Sequence, residues 1–225
     1  MPSELSISII ALTPKHGGEE AELTIRCENG EQSEDKKLTV AAKQLFEIGN
    51  IGPDVIPYAL TVEEADRLEE AAKLWSAVKK GLDLLSYADG TKARLAGKLV
   101  MRGFDRETAE KAVLQLEALG YLNESELLTR TVHDLSAHKH YGPTRIKNEL
   151  CQKGFSRELL DKRLPELLGE IDFEESLFHL LQKKADVEQL SDRKYKERLL
   201  ASCYRLGYAP GETLKVIKLL IKGNQ

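Results

Sequence analysis

The sequence predicts a mainly α-helical protein, built from tandem three-helix repeats in an elongated, curved array and preceded by a small β-rich domain. Two features predict this fold. Apolar and polar residues alternate near the N-terminus, as in strands, whereas apolar residues recur every three or four positions after Thr61, as in amphipathic helices. In addition, one helix-corner pattern occurs three times at nearly equal spacing.

Residues 1–58 are predicted to form the β-rich domain. Its three strands are expected where apolar and polar side chains alternate, near residues 5–9, 21–28 and 38–40. Asn29 and Gly30 are typical of a tight turn between the second and third strands. A short helix is predicted over residues 41–48, ended by Gly49 in the left-handed conformation.

The composition excludes several classes of protein. The 225 residues are 41% hydrophobic and 31% charged, which is typical of a folded chain with a sizeable core. The longest stretch without a charged residue or histidine covers only residues 5–14, and no basic residue precedes Lys15. We therefore expect neither a membrane span nor a secretory signal, and a cytoplasmic protein. The three cysteines contain no Cys-x-x-Cys pair, so we expect small buried side chains rather than disulfides or a zinc site.

Residues 61–225 are predicted to be helical. Thr61 and Glu64 have capping-box spacing at the start of a long amphipathic helix. The corner pattern is a glycine that follows one helix, an aromatic residue, and a residue that starts the next helix. The glycines are Gly103, Gly154 and Gly207, spaced 51 and 53 residues apart. Each glycine is expected to end its helix in the left-handed conformation, with the aromatic side chain packed beneath the corner.

The second helix of each corner and the helix before it complete the repeat. Asp105 and Ser156 are predicted to cap the second helix, and Pro210 suits its first position in the third copy. A further helix is expected before each pair, opened by Thr61, Asn123 or Asp172. The three repeats are therefore predicted at about 61–119, 123–168 and 172–222.

Two motifs resemble a known family. Residues 120–127 read GYLNESEL, and residues 141–155 read YGPTRIKNELCQKGF. Together they resemble the bacterial RecX regulators of the recombinase RecA, over roughly residues 75–222, whereas residues 1–74 show no match. The resemblance implies a monomeric, non-enzymatic protein that binds RecA and its nucleoprotein filament. It also implies inhibition of the recombinase and its ATPase in DNA recombination, DNA repair and the SOS response, with at most weak direct contact to DNA.

A concentration of basic residues around the middle repeat is the predicted partner-binding site. It consists of Arg145, Lys147, Lys153, Arg157, Lys162 and Arg163. The alternative interpretation is a solvated helix face, in which Arg145 pairs with Glu149 four residues later. His133, His138 and His140 lack the spacing and the additional ligands of a metal site, so no metal is expected.

The sequence favours a binding protein over an enzyme. It contains no phosphate-binding loop, no His-Glu-x-x-His, no Gly-x-Ser-x-Gly and no glycine-rich dinucleotide turn, so neither catalysis nor a cofactor is expected. The alternative function is a helical-repeat protein that binds nucleic acid directly and independently of RecA. Residues 1–74 carry a net charge of −8 and residues 75–225 only +4, which argues against that alternative.

Overall fold

A computed structural model describes residues 6–30, 32–186 and 188–223. These ranges contain four β-strands and ten α-helices, so the predicted mainly helical fold with an N-terminal β-region is confirmed. The N-terminal elements are β1 (Ser6–Lys15), β2 (Glu20–Asn29), β3 (Gln32–Ala41), α1 (Ala42–Gly49) and β4 (Tyr58–Leu60). Leu5, at the start of the first predicted strand, lies outside the described residues.

The four strands form one antiparallel sheet in the order β3-β2-β1-β4. Asn29 pairs with Gln32 across the β2–β3 hairpin, and Gly30 has a φ of 65°, so the predicted turn is confirmed. One face of the sheet is buried, and Ile9, Leu23 and Val40 are fully inaccessible there. The alternation in the sequence therefore reflects this buried face.

The structure corrects the sequence prediction at two places in the N-terminal region. Strand β4 was not predicted, and its three residues, of which Leu60 pairs with Ile7, are too few to show an alternating pattern. The left-handed residue after α1 is Asn50, with a φ of 50°, and not Gly49. Asparagine tolerates this conformation. Gly49 is instead needed for space, because a Cβ atom there would lie 2.6 Å from the Tyr58 hydroxyl oxygen.

The nine helices that follow Thr61 in the described residues have the predicted order. They are α2 (Val62–Tyr87), α3 (Lys92–Met101), α4 (Arg106–Ala118), α5 (Glu124–Ala137), α6 (Pro143–Gln152), α7 (Arg157–Gly169), α8 (Phe173–Lys184), α9 (Arg193–Arg205) and α10 (Pro210–Gly223). The side chains of Thr61, Asn123 and Asp172 accept the capping hydrogen bonds that start α2, α5 and α8, as predicted.

The three predicted corners share one backbone geometry. Gly103, Gly154 and Gly207 have φ values of 96°, 83° and 95°. Each glycine donates its N–H to the carbonyl three residues back, over 3.0, 3.0 and 2.9 Å. The next residue, Phe104, Phe155 or Tyr208, donates to the carbonyl five residues back, over 3.3, 3.3 and 3.1 Å. This is the Schellman motif, which satisfies carbonyls left free at a helix end, and it confirms the three predicted corners.

The chain forms two compact units. The first consists of Met1–Ala88 with Leu95–Leu122, and the second of Asp89–Arg94 with Asn123–Gln225. Within the first unit, α2 contributes to two cores. Leu68 and Ala72 pack with the buried face of the sheet, and Ala77 and Val78 pack with α3 and α4. One continuous helix therefore joins the sheet to the first helix pair.

A buried carboxylate also attaches α2 to the sheet. Glu20 of β2 is only 3% exposed, and it accepts hydrogen bonds from Trp75 Nε1 over 2.8 Å and from Lys79 Nζ over 2.9 Å. His16 Nε2 lies 3.2 Å from the same carboxylate. The Trp75 and Lys79 hydrogen bonds lower the pKa of Glu20 against the opposing effect of burial. The charged form of Glu20 is therefore the one that stabilises the fold.

We expect Glu20→Gln to destabilise the protein by about 2 kcal/mol at neutral pH, because a charged acceptor shared by two donors is lost. Since the folded pKa lies below the ordinary value of 4.5, the stabilisation is present above that value. It disappears as the pH falls through the folded pKa, so the two chains should converge in acid. Urea unfolding across this range measures the difference.

Glu22→Gln on the same strand is the control, because that more exposed carboxylate makes surface ion pairs and should change stability little. A difference between Glu20→Gln and the parent that does not depend on pH would contradict the prediction.

The cysteines differ from the prediction in their exposure. Cys203 is buried, and burial raises the pKa of its thiol, but Cys27 is half-buried and Cys151 is exposed. The expectation of three buried cysteines is therefore wrong for two of them. Cys151 directly follows the buried Leu150, so it points away from the core side of α6. Within the described part of the chain, no helix combines the length and the apolarity needed to span a bilayer.

Candidate partner-binding surface of the helical repeats

The six predicted contact residues lie on one helix pair of the second unit. Arg145 and Lys147 are on α6, Lys153 is the residue after its end, and Arg157, Lys162 and Arg163 are on α7. Buried side chains of these helices, such as Ile146, Leu150 and Leu164, pack with those of α5. We call the core-forming group of α5, α6 and α7 the middle triplet. The basic residues therefore surround a packed helix pair, and most of them are exposed.

The two cations of α6 do not share a face. At about 100° per residue, positions 145 and 147 are about 160° apart around the helix, on either side of the buried Ile146. Arg145 is engaged in the structure: its Nη2 atom lies 2.7 Å from Glu149 Oε1, and its guanidinium carbon lies 5.3 Å from the ring centre of Tyr141. Lys147 has no carboxylate within 4.0 Å among the described residues. Lys147 is thus the more available cation of the two.

The cations of α7 also differ in their availability. Arg163 lies 3.6 Å from Glu166, and its Nε atom is buried without a hydrogen-bond partner among the described residues. Arg157 and Lys162 are exposed, and no described carboxylate lies within 4.0 Å of either side chain. The predicted cluster therefore provides three exposed, unpaired cations on α6 and α7, namely Lys147, Arg157 and Lys162.

Lys153 takes part in a junction with the start of α3. Its backbone carbonyl accepts a hydrogen bond of 2.9 Å from the Thr91 hydroxyl, and Thr91 is only 2% exposed. The same hydroxyl accepts from the backbone N–H of Arg94 over 3.3 Å, and buried Glu124 accepts from the N–H of Lys92 over 2.9 Å. The Thr91 hydroxyl thus caps α3 and holds the corner between α6 and α7.

A second junction occurs one repeat later, at the start of α6. The backbone N–H of Gly142 donates to the carbonyl of Leu206 over 2.7 Å. A Cβ atom at Gly142 would lie 2.6 Å from the carbonyl carbon of Gly207, and one at Gly207 would lie 2.4 Å from the backbone nitrogen of Arg145. Two backbones therefore meet without any side chain between them. Sequence reasoning missed both junctions, because each joins residues more than 60 positions apart.

A cleft of about 440 Å³ lies within the first unit, between α1, α2 and α4. Its lining contains both signs of charge: Glu47, Glu70, Asp105 and Glu107 with Arg67, Lys73 and Lys111. Lys111 pairs with Glu107 over 2.8 Å, and Asp105 caps α4. A hydrogen bond from the Thr108 backbone lowers the pKa of Asp105. Three of the charged residues of this cleft, Asp105, Glu107 and Lys111, are therefore engaged in holding α4.

The histidines near the middle triplet do not form a metal site in the structure. No group of three potential ligands from His, Cys, Asp or Glu occurs in the described ranges. His140 has a φ of 52°, and its Nδ1 atom is buried without a hydrogen-bond partner among the described residues.

Comparison with known proteins gives similarities in both sequence and fold. No protein-family model matches the chain. The regulatory protein RecX of Mycobacterium sp. strain KMS is 29% identical over 148 residues, which cover 64% of this chain and 81% of that protein. The regulatory protein RecX of Pseudomonas putida strain KT2440 is 31% identical over 126 residues, or 55% of this chain and 79% of that protein.

Two solved structures share the fold. One, the crystal structure of a regulatory protein RecX, superposes with a TM-score of 0.63 at 16% identity over 94% of this chain and 98% of its own. A coverage this high includes most of the N-terminal sheet. The structure of RecX from Lactobacillus salivarius has a TM-score of 0.55 at 19% identity and covers 66% of this chain and 96% of its own. With the sequence relationship, these likenesses confirm the predicted resemblance: the chain belongs to the RecX family of regulatory proteins.

Proposed function

We propose that this protein is a non-enzymatic regulator that binds RecA and its nucleoprotein filament and inhibits the recombinase and its ATPase. Membership of the RecX family is the observation that carries the proposal. The exposed cations of α6 and α7 are compatible with contact to an acidic protein surface or to phosphates. We place this activity in the bacterial cytoplasm, with the protein acting as a monomer.

We assign the filament contact to residues 61–225, with the repeats 61–119, 123–168 and 172–222, and regard residues 1–58 as a separate N-terminal domain. Tandem helix repeats present several neighbouring helix pairs to one partner. A partner that is itself a repeating filament offers the same contact many times. Such a pairing allows a small chain to gain affinity by touching more than one protomer.

The test is ATP hydrolysis by the cognate RecA on single-stranded DNA, measured with increasing amounts of this protein. We expect the hydrolysis rate to fall as the protein is added, and the protein to co-sediment with the filaments. An unchanged rate together with no co-sedimentation would exclude the proposal. If the protein instead binds bare DNA tightly and leaves the RecA rate unchanged, the alternative function of direct nucleic-acid binding is favoured.

The contribution of the middle repeat is tested by the double variant Arg145→Glu with Lys147→Glu. We expect inhibition to be lost, because reversing a charge at a desolvated interface costs about 3 kcal/mol or more of binding, and the variant reverses whichever of these two cations faces the partner. The fold should persist, since exposed substitutions usually change stability by about 0.5 kcal/mol. Arg145→Glu also places a second acidic residue beside Glu149, which adds only a few tenths of a kcal/mol.

The matched control for this variant is Lys98→Glu with Arg102→Glu on α3. Lys98 and Arg102 are exposed, and no described carboxylate pairs with them, so the control makes the same change in net charge. Inhibition should fall less in the control than in the Arg145/Lys147 variant. If the Arg145/Lys147 variant folds normally and inhibits as well as the parent, the cations of α6 are only a solvated face and the contact lies elsewhere.

A further inference from the structure

The basic excess of the helical repeats is concentrated in their last helix pair. Residues 193–222, which form α9 and α10, contain eight Lys or Arg against two Asp or Glu, a net charge of +6. The equivalent pairs over residues 92–118 and 143–169 each contain six against four, a net charge of +2. A charge density of this kind on one pair of helices is the feature expected of a polyanion-binding surface.

The cations of α9 form a single stripe. Lys194, Arg198 and Arg205 are spaced by four and seven residues, which places them within about 40° of one another around the helix. All three are exposed, and the small exposed Ala201 lies between them. Cys203 is buried in the core formed by α8, α9 and α10, and it lies on the opposite side of α9. The stripe therefore faces solvent directly.

The carboxylates near this stripe are already engaged. An open cleft of about 550 Å³ is lined by Asp192, Lys194, Glu197, Arg198 and Ala201. Asp192 caps α9 by accepting the backbone N–H of Lys194 over 2.9 Å, and Glu197 pairs with Arg193 over 2.9 Å. Arg198 donates its Nε–H to the carbonyl of Lys194 over 3.3 Å, which leaves its terminal nitrogens for a ligand. No described carboxylate lies within 4.0 Å of Lys194, Arg198 or Arg205.

The neighbouring features favour a nucleic acid over an acidic protein. Tyr204 is 67% exposed and directly precedes Arg205, about 100° around α9 from the middle of the stripe. An exposed aromatic ring among cations can stack on a base while the cations contact phosphates. Helix α10 repeats the charge pattern, with exposed Lys215, Lys218 and Lys222 on the side opposite the buried Ile217. An exposed tyrosine also suits a protein interface, so competition with an acidic polypeptide is the measurement that separates the two partners.

We propose that the outer face of α9, with the lysines of α10, binds the phosphate backbone of single-stranded nucleic acid, and that Tyr204 stacks on a base. This surface differs from the cations of α6 and α7, and it acts whether or not RecA is present. In a filament regulator it would contact the nucleic acid, while other repeats contact the protein.

The experiment is a fluorescence-anisotropy titration of the full chain with a labelled oligothymidylate of about 30 nucleotides, at about 50 and 200 mM salt. The parent should bind at the lower salt and weaken steeply at the higher. Lys194→Gln with Arg198→Gln should bind about tenfold more weakly and lower the salt slope by about 1.4, because each phosphate contact on a single strand contributes about 0.7. Tyr204→Ala should weaken binding to the single strand about tenfold, and binding to a duplex of the same length much less.

The matched control is Lys98→Gln with Arg102→Gln, which removes the same residue types at the same spacing from α3. It should bind within about twofold of the parent, and circular dichroism should show both double variants folded. The proposal is overturned if the α9 variant binds like the parent, or if the control loses as much. Competition by polyglutamate as strong as by unlabelled oligothymidylate would also overturn it, in favour of an acidic protein partner. RecA inhibition, measured separately on the same variants, does not enter this result.

Discussion

Gly207→Ala is expected to destabilise the second unit by about 3 kcal/mol or more. The φ of 95° alone costs an alanine roughly 1–2 kcal/mol. In addition, its Cβ would lie 2.4 Å from the backbone nitrogen of Arg145 and 2.5 Å from the Arg145 Cβ. Because a backbone cannot yield as a flexible side chain does, α6 would have to move away from the corner between α9 and α10, and the 2.7 Å hydrogen bond from Gly142 to Leu206 would be lost.

Two other glycines supply the controls for Gly207. Gly103 has nearly the same φ of 96° and the same place in its corner, but a Cβ there would meet nothing within 4 Å. Gly103→Ala should therefore cost only the conformational penalty. Gly154→Ala should be intermediate, since its Cβ would lie 3.1 Å from the Thr91 hydroxyl. Urea unfolding of the three variants gives the order directly. An equal decrease in the free energy of unfolding at all three positions would show that the close approach at Gly207 adds nothing to the conformational penalty.

Leu150→Asp is expected to unfold the middle triplet. Leu150 is fully buried in a core that includes Ile146, Leu160 and Leu164. Truncating a buried leucine costs about 2–5 kcal/mol, and the new carboxyl group must also be buried without a partner. The sum is comparable with the whole stability of a small domain, which is about 5–15 kcal/mol.

Cys151→Asp is the control for Leu150→Asp, because Cys151 is the next residue of α6 and is exposed. It should change stability by about 0.5 kcal/mol. Far-ultraviolet circular dichroism and thermal unfolding distinguish the two variants. Loss of RecA inhibition in Leu150→Asp would then have a structural cause, unlike its loss in the Arg145/Lys147 double variant. A cooperative transition in Leu150→Asp near that of the parent would contradict the assigned core.

The corners could be predicted from the sequence because their chemistry is local. A glycine, an aromatic residue and a capping residue within three positions determine where one helix ends and the next begins, as at Gly154, Phe155 and Ser156. Strand β4 and the junction at Gly142 could not be predicted in this way. Both are stabilised by residues far away in the chain, such as Ile7 for Leu60 and Leu206 for Gly142. A local sequence pattern contains no information about such distant partners.

The candidate site was predicted less completely than the fold. The family motif in α6 drew the prediction toward Arg145 and its neighbours, and that assignment stays a prediction. The larger basic excess of α9 and α10 was already visible in the sequence as a count. It was overlooked because the balance of +4 over residues 75–225 averages one strongly basic helix pair with several nearly neutral segments. The structure adds that Lys194, Arg198 and Arg205 lie on one exposed face of α9, which the count of charges alone does not indicate.

The sharing of helix α2 by two cores has a consequence for relatives that lack the N-terminal sheet. Leu68 and Ala72 complete the core of the sheet, whereas Ala77 and Val78 complete the core of the first helix pair, so each core is closed by one half of the same helix. A chain that began at residue 61 would keep α2 and leave its first half bare. Removal of the sheet would therefore expose the apolar side chains of Leu68 and Ala72. We therefore expect a relative without the sheet to carry polar residues at the positions of Leu68 and Ala72.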